Sequence, residues 1–300
     1  MSHQPGTAAL TEALAVPRRR TDWTPYVLLL PSLVFLAFFF VVPMVQALGL
    51  ALQGPDGAYT TAAFERMTGD AQFRTALLVT LLLIVLLLPL QFVLALAMAL
   101  VVNARLRGSS LWLYIFALPL AISELAAAII WYGIFTENGY LNTVLVGLGI
   151  REHPFIFLDP RQPLWTVVAI VLAELWRATS IMMVILVAGL QSVSRELVEA
   201  ADVFGAGPWQ KLRRVILPLL RPSLQVALIL RTILAFQAFA VVIAIAGRGL
   251  TVLAAEAYRW YGAYRDPHVA AAYAVLILGL SIASTVAYLR LLPVRQGMYA

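Results

Sequence analysis

Cysteine is absent from this 300-residue chain, which excludes disulfides, thiolate metal sites and cysteine nucleophiles. Charge is scarce too: 12% of residues are Asp, Glu, Lys or Arg, about half the share of a soluble domain. Histidine occurs only at His3, His153 and His268, too scattered to suggest a metal site. A G-x-x-x-x-G-K-[ST] phosphate loop is missing, since Gly205–Lys211 carries Gln210 where that motif needs glycine. No repeat of roughly 20–50 residues is apparent, so an inverted-repeat architecture has no support. What remains is a chain that is 62% hydrophobic. Residues that apolar must face lipid, and the chain reads as an all-α, polytopic membrane protein.

A helix needs about 20 mostly apolar residues to cross the hydrocarbon core. Six segments qualify, at 26–50, 74–102, 111–135, 165–189, 223–246 and 269–291. The first follows Arg18-Arg19-Arg20 and has no small-residue cleavage site. It is longer than the apolar region of a signal peptide, about 7–15 residues, so it reads as an uncleaved anchor. Pro31, Pro43, Pro89 and Pro119 fall inside spans, where neighbouring helices tolerate a kink. With the N-terminus inside, twelve of the 21 Lys and Arg residues face inward, among them Arg105, Arg107 and Arg295. Seven, including Arg248, face outward. That asymmetry predicts both termini in the cytoplasm. The expected layout is a cytoplasmic tail over 1–25, a six-helix domain over 26–291 with an inner loop over 190–222, and a tail over 292–300. The basic excess suits anionic lipid and calls for no nucleic acid.

The inner loop has its own helix grammar. Ser194 can cap a helix over Arg195–Phe204, with Glu196 in its first turn. Gly205 can end that helix in a left-handed conformation. Pro208 then suits the first position of a second helix, in which Trp209, Leu212, Val215, Ile216 and Leu219 form an apolar stripe beside Lys211, Arg213 and Arg214. This is the pattern of a helix lying along the membrane interface. Pro218 is expected to interrupt it and begin the turn into the fifth span. The loop reads either as a docking element, with Ala200 and Ala201 allowing close approach and Glu199 offering a charge, or as a plain interfacial hairpin.

Ionisable residues inside spans are expensive and face a polar cavity or a partner. Glu124, Glu174, Arg177 and Arg231 fall there, and their charges cancel. Glu174 and Arg177 are near enough at i,i+3 to interact. They read either as structural pairs or, with Gln237, as hydroxyl-binding groups of a water-filled path. Trp131, Trp176 and Tyr258 read either as platforms for sugar faces or as interface belts. The outer loop 136–164, with Glu137, Glu152 and Asp159, is a plausible landing surface for a delivery protein or a solvated loop.

The signature Glu199, Ala200, Ala201, Gly205, Val215, Leu217 and Pro218 resembles the cytoplasmic loop of binding-protein-dependent ABC importer permeases, with Val215 where isoleucine is usual. Stretches around Trp131-Tyr132-Gly133, Glu174-Leu175-Trp176-Arg177, Arg231–Gln237 and Thr251-Val252-Leu253 resemble the carbohydrate branch of that family. Ala240 departs from it, standing where an aspartate is frequent, and Gly247-Arg248-Gly249 is a shortened outer loop. The resemblance implies the type I ABC importer permease fold in the inner membrane. It also implies a subunit that binds no cofactor and is not an enzyme. ATP would be hydrolysed by two separate cytoplasmic subunits gripping the seven signature residues. A second homologous permease, which the carbohydrate branch favours as a different chain, and an extracytoplasmic solute-binding protein complete the implied assembly. The implied substrate is a sugar such as trehalose or maltose, with glycerol phosphate as the alternative. An ion-coupled secondary transporter with a proton relay at Glu174 and Arg177 is the competing class. A membrane-embedded enzyme lacks any cluster of catalytic residues near a membrane face.

Overall fold

The computed structural model describes residues 23–54, 56–104, 108–247 and 249–293. Most of the expected tails, and Arg18, Arg19, Arg20, Arg105, Arg107, Arg248 and Arg295, lie outside the described residues. Among the described residues every regular element is helical, with one isolated bridge between Gln53 and Tyr59. By its contacts the chain divides into one unit that ends at Gly49 and another that starts at Leu50.

The first unit holds most of helix α1 (Thr24–Ala51), whose mean hydropathy of 2.6 marks it as a span. A π-turn occupies Ala37–Val41. Proline 43 supplies the reason: its ring crowds the carbonyl of residue 39, and the widened turn absorbs the conflict. The amide of Val42 accordingly bonds back to Ala37 O. The same device recurs at Pro218, where Leu217 N bonds back to Leu212 O.

The second unit contains α2 (Ala62–Gly69), α3 (Phe73–Asn103), α4 (Ser109–Ala117), α5 (Glu124–Phe135) and α6 (Tyr140–Gly147). These are followed by α7 (Pro163–Gln191), α8 (Arg195–Val203), α9 (Pro208–Leu219), α10 (Arg221–Phe236), α11 (Ala240–Ala246), α12 (Leu253–Gly262) and α13 (Pro267–Leu291). Helix α1, α3, α7 and α13 are each long and apolar enough to cross a membrane, and two bent pairs raise the number to six. Helix α7 is the hub, with 61% of its apolar window buried against 33% for α3 and α13. It packs on α3, α5, α10 and α11.

Two of the expected spans are broken rather than straight. Over 111–135 the chain turns by 96° between Ser110–Ala121 and Glu124–Gly147. Pro119 sits in a 3-10 turn at Leu118–Ala121, and the freed Phe116 carbonyl accepts the Ser180 hydroxyl of α7 at 2.7 Å. The new helix starts on Ser123, whose Oγ accepts from Ala126 N. Over 223–246 the helix stops at Phe236 and restarts at Ala240. Inside the inner loop, α9 runs through Pro218 to Leu219, and the 72° bend falls between α9 and α10. Pro218 therefore does not interrupt the loop's second helix, because the π-turn ahead of it takes up the strain.

Close to the inner loop, α7 and α10 approach so tightly that a Cβ at Gly189 would collide with the Ser223 side chain. Gly189→Ala is therefore expected to destabilise the protein by about 1–3 kcal/mol, read as a lower Tm in detergent. Adding Ser223→Gly should restore most of the loss; if it does not, the close approach is not the cause.

Candidate functional site

The polar centre of the second unit is a ring of three side chains from three helices. Arg231 of α10 donates from Nη2 to Glu174 Oε2 of α7 at 2.6 Å and from Nε to Gln91 Oε1 of α3 at 2.7 Å. Gln91 Nε2 closes the ring on the Glu174 backbone carbonyl at 3.1 Å. Gln91, Glu174 and Arg231 are 0%, 1% and 1% exposed. Arg177, one turn along α7, donates Nη2 to Glu174 Oε1 at 3.2 Å and keeps 23% of its side chain exposed. The Arg177 Nε is buried with no partner in the structure. Gln91 is the member that sequence reasoning missed, although an amide in the middle of an apolar run is itself a signal.

Glu124 stands apart from the ring. Its Oε1 accepts from Ala240 N at 3.1 Å and Val241 N at 3.4 Å, so it caps α11 from α5. This carboxylate is what lets the fifth span break inside an apolar environment. Trp131 stacks with Phe135 and meets Trp176 edge-on at 6.3 Å between ring centroids. Gln237 and Tyr258 line a different place, a cleft of about 590 Å³ between α10, α12 and α13. Phe239, Ser281 and Thr285 also line it, and Tyr258 lies 5.6 Å from the Phe239 ring. The eight intramembrane candidates thus fall at four places rather than one: the ring with Arg177, the α11 cap, the Trp131–Trp176 pair and the cleft.

Helix α12, which carries Tyr258, is pinned by Thr251 and Leu253 of the stretch noted in the sequence together with Thr80, Glu256 and Arg259, which the sequence did not single out. Thr251 donates to Glu256 Oε1 at 2.5 Å and Arg259 Nη1 forms an ion pair with the same oxygen at 2.8 Å, with Glu256 fully buried. From α3, Thr80 Oγ1 accepts from Leu253 N at 3.0 Å.

The inner loop folds as two short helices. Gly205 has φ +75, and its amide bonds to Asp202 O while Ala206 N reaches Ala201 O. That is a Schellman termination of α8, built from two signature residues. Ser194 sits at the helix start, yet its side chain makes no capping bond, contrary to expectation. Lys211 Nζ pairs with Asp202 Oδ1 at 2.5 Å, joining α9 to α8. Ile216 and Leu217 pack against the buried ends of α3, α7 and α10. Glu199, Ala200, Val203 and Phe204 stay exposed, the last at 89%.

Residues 91–294 match the family of binding-protein-dependent transport system inner membrane components. The chain belongs to this family. It is a multi-pass inner-membrane permease of the ABC importer type, a transporter rather than an enzyme. The permease is 29% identical to the trehalose/maltose transport system permease protein MalF of Thermococcus litoralis, over 88% of this chain and 92% of that one. It is 32% identical to the trehalose transport system permease protein SugA of Mycobacterium tuberculosis, over 71% and 70%. With the sn-glycerol-3-phosphate transport system permease protein UgpA of Yersinia pestis it shares 30% over 90% and 94%. A chain of a bacterial alginate ABC transporter, solved with an alginate pentasaccharide-bound periplasmic protein, superimposes with a TM-score of 0.76. It covers 90% of the permease and 94% of its own length at 23% identity, which shows a shared fold.

Removing one partner from a buried ion pair leaves a charge with nothing to face. Arg231→Leu is expected to cost about 3–5 kcal/mol, measured as thermal unfolding of the purified permease. The Arg231→Leu/Glu174→Leu double variant should be less damaged than that single variant. Additive losses would mean that the two residues do not act as a pair.

Proposed function

We propose that this permease forms half of the path by which a neutral di- or oligosaccharide of the trehalose or maltose kind crosses the membrane. The observation that carries this reading is the chemistry of the α10–α12–α13 cleft: amide, phenol and hydroxyl groups among apolar and aromatic side chains, with no charged residue. Such a lining suits a polyol, whose hydroxyls need hydrogen bonds and whose faces need apolar contact. A glycerol phosphate would call for arginine or lysine in the lining. The trehalose and maltose names among the relatives support the same choice. Gln237 and Tyr258 serve as hydroxyl-binding group and ring platform. The Gln91–Glu174–Arg231 ring serves as a strut holding the helices that flank the path, and Glu124 as a cap for α11.

The remaining parts follow the family pattern. A second permease completes the path, two cytoplasmic ATPase subunits use ATP, and an extracytoplasmic binding protein delivers the sugar. The exposed tip of α8, with Glu199, Val203 and Phe204, docks into the ATPase from the cytoplasmic side. Its Schellman turn and anchored α9 make it a lever rather than a flexible loop.

Uptake of radiolabelled trehalose and maltose by the assembled transporter tests the cleft. Tyr258→Ala and Gln237→Ala are expected to raise KM roughly tenfold while leaving ATPase activity coupled. Competition by glycerol phosphate with no competition by either sugar would overturn the substrate reading.

Two further variants test the docking tip. The chain has no native cysteine, so Phe204→Cys reports its own side of the membrane. An impermeant maleimide should label it in inverted vesicles and not in intact cells. Glu199→Ala should insert normally yet lower uptake by roughly tenfold, as loss of an interfacial charge pair predicts. Wild-type uptake in that variant would remove Glu199 from the docking surface.

A further inference from the structure

The inner loop leaves a second cleft that the docking tip does not use. It encloses about 710 Å³ between the end of α3 and helix α9. Leu100, Ala104, Val198, Leu212 and Ile216 supply an apolar floor, and Trp209 and Lys211 stand on its rim. Trp209 is 70% exposed. Farther along α9, Arg213 and Arg214 are exposed and pair with no carboxylate among the described residues. Asp202 holds Lys211, so α8 neutralises one cation of the loop and leaves the two arginines unmatched.

We propose that this cleft is a binding site for an anionic phospholipid. One acyl chain occupies the apolar floor, and the headgroup phosphate is held by Arg213 and Arg214. Three features of the site point to a lipid. An apolar groove with an exposed tryptophan and a lysine on its rim, on a helix that goes on to two exposed arginines, has the amphipathic profile of a headgroup boundary. The floor ends on α3, which at 31 residues is about 46 Å long, enough to carry Leu100 and Ala104 to that boundary. The two unmatched guanidinium groups are complementary to a phosphodiester, and an anionic headgroup, unlike a zwitterionic one, brings no ammonium to offset that attraction. At about 1 kcal/mol per basic residue near an anionic surface, two arginines imply a preference of roughly tenfold or more. The bound lipid fills the space between the end of α3 and α9, and so stiffens the base of the loop.

Quenching of Trp209 by brominated lipids tests this on the assembled transporter in vesicles. The Trp209 signal is obtained as the difference between the unmodified protein and Trp209→Phe. Brominated phosphatidylglycerol, diluted into phosphatidylcholine, should quench that signal at roughly tenfold lower mole fraction than brominated phosphatidylcholine diluted into unbrominated phosphatidylcholine. The difference should vanish in Arg213→Gln/Arg214→Gln, whose folding is checked by an unchanged Tm. Equal quenching by the two lipids would overturn the headgroup assignment. Absence of quenching by either would give the cleft to the ATPase subunit instead. The vesicles carry the same lipid in both leaflets, so the result stands whichever face the loop occupies, and a failed labelling of Phe204→Cys does not decide it.

Discussion

A guanidinium group buried in the middle of a membrane protein imposes the condition that the second unit is built around. Arg231 is 1% exposed, and a charge so placed is tolerated only if every donor it carries has somewhere to go. Glu174 matches the charge, Gln91 takes the Nε proton, and the Gln91 amide returns to the backbone beside Glu174. Because the three side chains come from α10, α7 and α3, satisfying one residue fixes the relative register of three helices. Apolar packing alone would not do this in a bilayer, since lipid tails compete with leucine on equal terms. The two hydrophobic clusters along α7, one with α5 and α11 and the other with α3 and α10, sit on either side of this ring. They fill space around a geometry that the hydrogen bonds specify.

The same accounting explains where the helices are allowed to break. A span that stops inside hydrocarbon exposes amides and carbonyls, each at a cost of several kcal/mol unless paired. The break near Pro119 is paired by Ser180, and the new helix by Ser123. The break after Phe236 is paired by Glu124. Polar residues that look like a solvent-filled path when only their positions in spans are considered therefore divide into two groups. Some satisfy protein backbone or one another, as Glu124, Glu174 and Arg231 do. Others face open space, as Gln237 and Tyr258 do, and these carry the reading of a sugar route.

Span length and apolar content made α1, α3, α7 and α13 legible, since those signals are local. The inner loop was legible for the same reason: Gly205 and Pro208 declare a helix stop and a helix start within a few residues. The bends were not, because what permits them lies far away in the chain. Ser180 is 64 residues from Phe116, and Glu124 is 116 residues from Ala240. The partner of Arg231 was visible only as a balance of charge, with two acids and two arginines to be matched. Gln91 could have been noticed as a lone amide in an apolar run. Its role as the third corner needed the packing of α3 against α7. The Pro218 expectation failed for a different reason: a proline is read as a helix breaker, whereas a π-turn just ahead of it gives the ring its room.

Placing the inner loop next to this core constrains how motion passes between them. Leu217 and Ile216 pack into the cluster that also holds the ends of α3 and α7, and Gly189 leaves room for the Ser223 side chain of α10 to sit directly against α7. On the other side, Gln225 donates to the carbonyls of Tyr288 and Leu292, tying α10 to the end of α13. If α8 docks as proposed, a force on its tip would pass through the Asp202–Lys211 pair to α9 and then to α10, which cannot shift without carrying Arg231. Displacing Arg231 alone would strand Glu174, so α7 must follow or the ring must break. The less costly motion is for α3, α7 and α10 to move together, since Gln91 of α3 is bonded to both of the others. The cleft that contains Gln237 and Tyr258 lies between α10, α12 and α13, and α12 is separately pinned to α3 by Thr80. The walls of that cleft are therefore joined, through Thr80, Gln91 and Gln225, to the same network that anchors the inner loop, and a change in its width must strain one of those bonds.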